Sequence, residues 1–236
     1  MDGHVVRRRH SLAFARLAAG ALSVFLAGCF DVSATNLRVI DNFDSGDLIP
    51  SDRAFGAWGC GPVGPAEDSS PSCAPDADTE DHSPYAVLLH VTVTDPPDGL
   101  QQHGGAALAT IATRNPVDFT RYGRIAFDLK LQSGGANPLP ANALVYVELT
   151  CMTVLPETSE RHDLYVSQAV PYADIWHNFA LTLPNFAPPP ALVEPIQGGP
   201  AACLRKVDGV RFSLDAQLPD GKTAEAFLRV DNVVLE

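Results

Sequence analysis

Three side-chain types in this chain could carry chemistry: five cysteines, seven histidines and 28 carboxylates. A cysteine thiolate is a nucleophile or a soft metal ligand, and two cysteines in an oxidising compartment form a covalent staple. Cys29, Cys60, Cys73, Cys151 and Cys203 contain no C-x-x-C spacing, and no H-x-x-x-H pair stands ready to complete a zinc site with them. The histidines show no ligand spacing either, so hydrogen-bonded or solvent-facing imidazoles are expected at His82, His90, His103, His162 and His177. There is no G-x-S-x-G elbow, no H-E-x-x-H helix and no glycine-rich phosphate loop after a strand. A glycosidase-like acid pair can be drawn on paper from so many carboxylates, which makes their number uninformative without geometry. The odd cysteine count is the feature that demands an explanation.

The N-terminus supplies one. Arg7, Arg8, Arg9 and Arg16 form a basic start, followed by an uncharged apolar run from Leu17 to Ala27. That run is too short to span ~30 Å of hydrocarbon and reads as the core of a signal peptide. It ends in Leu26-Ala27-Gly28-Cys29, which resembles a bacterial lipobox. The resemblance implies cleavage before Cys29, diacylation of its thiol and acylation of the new amine. Residues 1–28 are then a leader, 29–36 a lipidated tether and 37–236 a single folded domain. Phe30, not Asp, follows the cysteine, which points to the outer membrane. A buried cysteine that happens to follow two small residues is the competing reading. Arg8-Arg9-His10-Ser11-Leu12 also loosely resembles a twin-arginine export signal.

Loss of the leader takes the net charge from −12 to −15 over 208 residues. So acidic a chain is a poor match for phosphate backbones, which excludes nucleic acid as an expected partner. Four cysteines remain, with three possible pairings. Cys60 and Cys73 bracket one Pro/Gly/Ser-rich loop, so a local bridge there is the first choice, leaving Cys151 for Cys203.

These residues need elements to hold them. Twenty Pro and eighteen Gly argue against a helical bundle. From Leu37 onward, short apolar runs are separated by Gly, Pro, Asn and Asp, without helical period. Strands are expected at Leu37–Phe43, Tyr85–Thr94, Ala106–Ala112, Arg124–Leu131, Ala143–Met152, His162–Val166, His177–Leu183, Gly209–Leu214 and Ala226–Leu235. Several alternate: Val145, Val147, Leu149 and Cys151 oppose Tyr146, Glu148, Thr150 and Met152, the pattern of a sheet with one buried face. About nine strands with long loops at Asp44–Ser83 and Asn185–Cys203 predict an all-β, two-sheet antiparallel β-sandwich with jelly-roll connections. Helix is expected only as a turn or two near Tyr172–Trp176.

The order of the segments carries a further resemblance. Val39-Ile40-Asp41-Asn42-Phe43-Asp44 resembles the opening strand of galactose-binding-like carbohydrate-binding modules. Val117-Asp118-Phe119-Thr120-Arg121-Tyr122-Gly123-Arg124-Ile125-Ala126-Phe127 is similar to their turn into a central strand. Trp176-His177-Asn178-Phe179 resembles their tryptophan-led strand. Val207–Phe212 and Leu228–Leu235 are similar to their two closing strands. The resemblance spans residues 37–236.

It implies two sites. One is a calcium ion pinning the first and last strands, with Asp44 and Asp231 where the family's acidic ligands stand; the alternative is that Asp44 opens a turn and Asp231 binds local backbone amides. The other is a sugar groove on one sheet. There the outward row of Tyr146, Glu148, Asp128, Lys130 and Arg211 is the candidate lining, with Trp58 and Tyr85 reaching its edge from loops. Trp176 is expected in the core, and Asp128, Lys130 and Arg211 could equally form a cross-strand charge cluster. Two Trp and five Tyr are a thin aromatic supply for a glycan binder. The expected function is therefore a membrane-anchored, non-catalytic lipoprotein that associates with polysaccharide or envelope glycan. A protein-interaction or adhesion module on the same fold is the alternative, and a small hydrolase the third.

Overall fold

Alternating apolar side chains build eleven strands among the described residues of the computed structural model. These residues are 37–63, 71–79, 83–94, 104–112, 115–141, 143–154, 161–171, 174–188, 198–216 and 222–236. The expected leader, the tether and Cys29 lie outside them, as do His82 and His103. The strands are β1 (Arg38–Asp41), β2 (Gly59–Val63), β3 (Ser72–Asp76), β4 (Ala86–Thr94), β5 (Gly104–Ile111), β6 (Arg124–Gly134), β7 (Leu144–Val154), β8 (Arg161–Pro171), β9 (His177–Thr182), β10 (Val207–Ala216) and β11 (Thr223–Leu235).

They form two antiparallel sheets. One runs β3-β4-β11-β6-β9, and the other β2-β5-β10-β7-β8. In the first, β4 pairs with β11 as far as Val230, and β1 pairs with it from Val233 to Leu235. The first and last strands therefore lie side by side, as in a jelly roll. Between those two stretches β11 bulges, with Asn232 at φ 50°. Bulges of this kind bend a strand and re-aim its side chains.

The inner faces meet in one core. Phe127 of β6 and Phe212 of β10 pack edge to face across the two sheets, with ring centroids 5.1 Å apart. Phe43 and Trp58 extend that cluster at 5.6 Å. Full burial of each such ring is worth up to about 3 kcal/mol. The cost of holding Phe43 at φ 53° is set against this burial, and its N–H donates to Asp41 Oδ1 at 3.0 Å.

Two disulfides close the structure, in the expected pairing. Cys60–Cys73 joins β2, an edge of one sheet, to β3, an edge of the other, and Cys151–Cys203 ties β7 to the short helix α1 (Pro200–Leu204).

The nine expected strands are present with shifted ends, but β2 and β3 correct the reading of Asp44–Ser83 as loop. Their sequences, Gly-Cys-Gly-Pro-Val and Ser-Cys-Ala-Pro-Asp, have low strand propensity. Pairing with β5 and β4 and the disulfide between them supply what propensity does not. The helical turn expected near Tyr172–Trp176 is also corrected. Asp174 and Ile175 form a bend, Trp176 leads straight into β9, and Tyr172 lies outside the described residues. The described helical turns are Phe119–Arg121, Leu183–Asn185 and α1. The first is capped by Asp118, whose carboxylate accepts from Thr120 N at 2.9 Å.

Candidate functional site

The register of the five-stranded sheet lines up its outward side chains in two rows. One runs Gly59, Ala109, Arg211, Glu148, Ser167, and the other Gly61, Ala107, Ser213, Tyr146, Ala169. Towards β2 the rows carry nothing larger than a methyl group. In the middle they carry a polar cluster. Arg211 Nε donates to Glu148 Oε2, and Ser213 Oγ donates to the same oxygen at 2.5 Å. Glu148 is only 6% exposed although it faces outward, so this carboxylate is desolvated and held by its two donors.

Beside the cluster, the small residues leave a trough of about 400 Å³, lined by Gly56, Ala57, Gly59 to Pro62, Ala107, Ala109 and Arg211. The outer part of its floor is β2, which together with the segment leading into it is positioned from three directions. Thr110, on the core side of β5, donates to the carbonyl of Gly56 at 2.5 Å. Trp58 N donates to Leu48 O at 2.6 Å. The Cys60–Cys73 bond then anchors the strand to the opposite sheet. A concave hollow with an apolar floor and a few convergent polar groups is the general form of a small-ligand site.

The expected single row of binding residues is corrected by the topology. Tyr146, Glu148 and Arg211 share the outer face of the five-stranded sheet. Asp128 and Lys130 face out of the six-stranded sheet, on the far side of the sandwich. There Lys130 Nζ donates to Asp78 Oδ2 at 2.8 Å, and Arg229 Nε donates to Asp76 Oδ2 at 3.0 Å. Asp128 accepts from Asn178 and Asn232, each at 2.8 Å. Lys130 holds the Asp78 carboxyl below its ordinary range. Asp128 and Lys130 thus serve a cross-strand polar network, the alternative weighed above.

The two loop aromatics also sit elsewhere than expected. Trp58 is a core residue, 2% exposed, with Nε1 donating to Asp41 Oδ2 at 2.8 Å. Burial pushes the Asp41 carboxyl up, against its hydrogen bonds from Phe43, Trp58 and Ser51. Tyr85 is exposed, but its ring lies over Gly46, away from the trough lining. Trp176 is half-buried rather than in the core, with Nε1 donating to Asp78 at 3.3 Å. Sequence reading missed Ser213, Gly59, Gly61, Ala107 and Ala109. Ser213 stands two residues after Arg211 on an alternating strand, and that spacing was the available signal.

Asp44 and Asp231 do come together, around Ser83. Its hydroxyl lies 3.1 Å from Asp44 Oδ1, 2.8 Å from Tyr85 O and 3.3 Å from Asn42 O, and it also interacts with the Asp231 carboxyl. One hydroxyl proton cannot satisfy four acceptors. Asp231 is fully buried; Oδ1 accepts from Asn232 N at 2.7 Å, and Oδ2 has no hydrogen-bond partner. Burial, with the nearby charges of Asp128 and Asp44, raises its pKa to about 7. An oxygen-rich pocket with an orphaned carboxylate oxygen fits the hard-cation chemistry of calcium. No group of three or more His, Cys, Asp or Glu among the described residues is placed to hold a metal, so most ligands would be neutral oxygens.

Comparison with known proteins adds the fold relationship. No family model matches the chain, and no curated protein matches it. Among solved structures, it is similar to the family 11 carbohydrate-binding module of a cellulosomal cellulase of Clostridium thermocellum. The TM-score is 0.51 at 15% identity, covering 86% of this chain and 95% of that one. A family 11 module from Clostridium thermocellum in complex with a β-1,3-1,4-mixed-linked tetrasaccharide gives a TM-score of 0.50 at 16% identity, covering 86% and 96%. In fold, the chain is an all-β jelly-roll sandwich of the kind these carbohydrate-binding modules have.

Proposed function

We propose that this protein is a non-catalytic glycan-binding module whose ligand lies in the trough on the outer face of the five-stranded sheet. The observation that carries the reading is the trough itself: about 400 Å³, an apolar floor, and Arg211, held in place by Glu148, as its polar wall. Its likeness in fold to a module solved with a bound tetrasaccharide supports the ligand class. Tyr146, beside Ser213 in register, extends the surface with an aromatic ring of the kind that stacks on pyranose faces. The lipobox-like Leu26-Ala27-Gly28-Cys29 supports a module held at the cell envelope, on the outer membrane, by acyl chains on Cys29.

Calcium belongs to the same proposal, as a structural ion between the first and last strands. Asp44 and Asp231, with oxygens of Asn42, Ser83 and Tyr85, would hold it. When bound, it would neutralise the buried Asp231 carboxylate and tie the β1 end to the β11 bulge.

Titration calorimetry of the purified protein with mixed-linkage β-glucan, xyloglucan and envelope glycan fragments tests the reading. Saturable binding, lost on Tyr146→Ala or Arg211→Ala, supports it. A blank glycan series, with a defined protein partner recovered through this face, would replace it with the interaction-module reading. Mass spectrometry of the membrane fraction tests the anchor: a mature N-terminus at Cys29 carrying acyl chains is expected.

A further inference from the structure

Glycine is costly in a strand, because it packs nothing and loses more backbone freedom than any other residue. At two other strand glycines of this sandwich a structural reason for it is visible. At Gly209, where β10 bulges against β7, a Cβ would collide with Thr150 Oγ1, and at Gly134 it would run into the Phe227 ring. Gly59 and Gly61 have no such reason. Neither has a positive φ, and a Cβ built on either meets nothing within 4 Å. Both stand in β2, where β-branched residues would raise strand propensity, and both line the trough opposite Ala109 and Ala107. The fold would accept a side chain at either position. The trough would not.

We propose that Gly59 and Gly61 are specificity-determining positions, kept bare so that a flat, apolar face of the ligand rests directly on the β2–β5 backbone. This rests on the glycan reading above. The ladder hydrogen bonds of β2 and β5 lie in the plane of the sheet, so the floor between these strands presents mainly Cα–H and methyl groups. Polar side chains begin one strand further on, where Arg211 is the register partner of Ala109 and Ser213 that of Ala107. The matching ligand has an apolar face and a polar rim side by side. A pyranose with equatorial hydroxyls has that form. An unbranched run of β-1,4-linked rings keeps the face flat from one ring to the next, whereas a substituent directed at the floor would lift it off. The trough therefore selects unbranched over branched chains. Cys60, between the two glycines, turns inward to Cys73 and holds this floor in place.

The test compares wild type, Gly59→Val and Gly61→Val, with Gly209→Ala as the structural control. Calorimetric titration uses mixed-linkage β-glucan and branched xyloglucan, and melting temperature is measured in parallel. Wild type should prefer the unbranched chain. The β2 variants should melt at or above wild type and bind about tenfold or more weakly, whereas Gly209→Ala should lower the melting temperature. Wild-type binding with unimpaired β2 variants overturns the inference alone. So does a clear drop in their melting temperature, which would make the glycines structural, or a wild-type preference for the branched chain. Wild type that binds no glycan overturns the glycan reading and this inference with it.

Discussion

Arg211 and Glu148, 63 residues apart in sequence, are register partners on β10 and β7 and form an ion pair on the outer face of the five-stranded sheet. Glu148 is nearly buried, whereas the Arg211 side chain is 30% exposed, so the pair is rooted in the sheet and open to the trough on its cationic side. Removing the arginine leaves a desolvated carboxylate with Ser213 as its remaining donor among the described residues. Arg211→Ala should therefore destabilise the domain by about 1–3 kcal/mol as well as weaken glycan binding. Arg211→Ala with Glu148→Gln should recover most of that stability but not the binding. Urea unfolding together with titration calorimetry separates the two effects.

The far face makes the opposite prediction. Asp128 and Lys130 face out of the other sheet, so Lys130→Ala should leave glycan affinity within about twofold of wild type. Its cost should appear in stability, because the Asp78 carboxylate loses the donor that lowers its pKa. Equal loss of binding in Lys130→Ala and Arg211→Ala would place the ligand elsewhere.

Asp231 contributes a defined pH dependence to the stability of the calcium-free protein. Its folded pKa is about 7, whereas an unfolded aspartate titrates near about 4. Above pH 7 the cost of the buried charge is fully present. As pH falls from 7 towards 4, the folded state takes up a proton that the unfolded state does not. Stability from this group then rises by up to about 1.4 kcal/mol per pH unit. Bound calcium would favour the ionised carboxylate and cancel the rise. Melting curves in chelator and in calcium, at pH 5 and pH 8, should show the largest calcium stabilisation at pH 8. Asp231→Asn should abolish both trends.

The disulfides should separate stability from binding. Loop-closure arithmetic assigns about 3 kcal/mol to the 13-residue Cys60–Cys73 separation and about 4 kcal/mol to the 52-residue Cys151–Cys203 separation. Yet only Cys60 lines the trough. Serine replacement of Cys60 and Cys73 should cost less stability but more glycan affinity than replacement of Cys151 and Cys203, as read by chemical denaturation and titration.

Trp58 tests the core reading. Trp58→Phe removes the N–H that binds the buried Asp41 carboxylate and part of the packing against Phe43 and Phe212, and should cost about 2–4 kcal/mol. A neutral substitution measured by urea unfolding would return Trp58 to the surface.

Alternation along β6, β7 and β10 is legible in the amino-acid sequence, because a strand with one buried face writes its period into the chain. The sandwich and the inward rows Val145–Val147–Leu149 and Val210–Phe212–Leu214 follow from it. The cysteine bridges are legible from loop composition, and the proximity of Asp44 to Asp231 from the segment resemblance. What alternation cannot specify is which sheet a strand joins. Asp128 and Lys130 read like Tyr146 and Arg211, yet pairing order sends them to opposite faces. β2 and β3 are invisible in the sequence because their stability is borrowed from partners distant along the chain. With β2 hidden, so is the trough: its floor is defined by side chains that are absent, and an absent side chain acquires meaning only when the neighbouring strand shows how much room surrounds it.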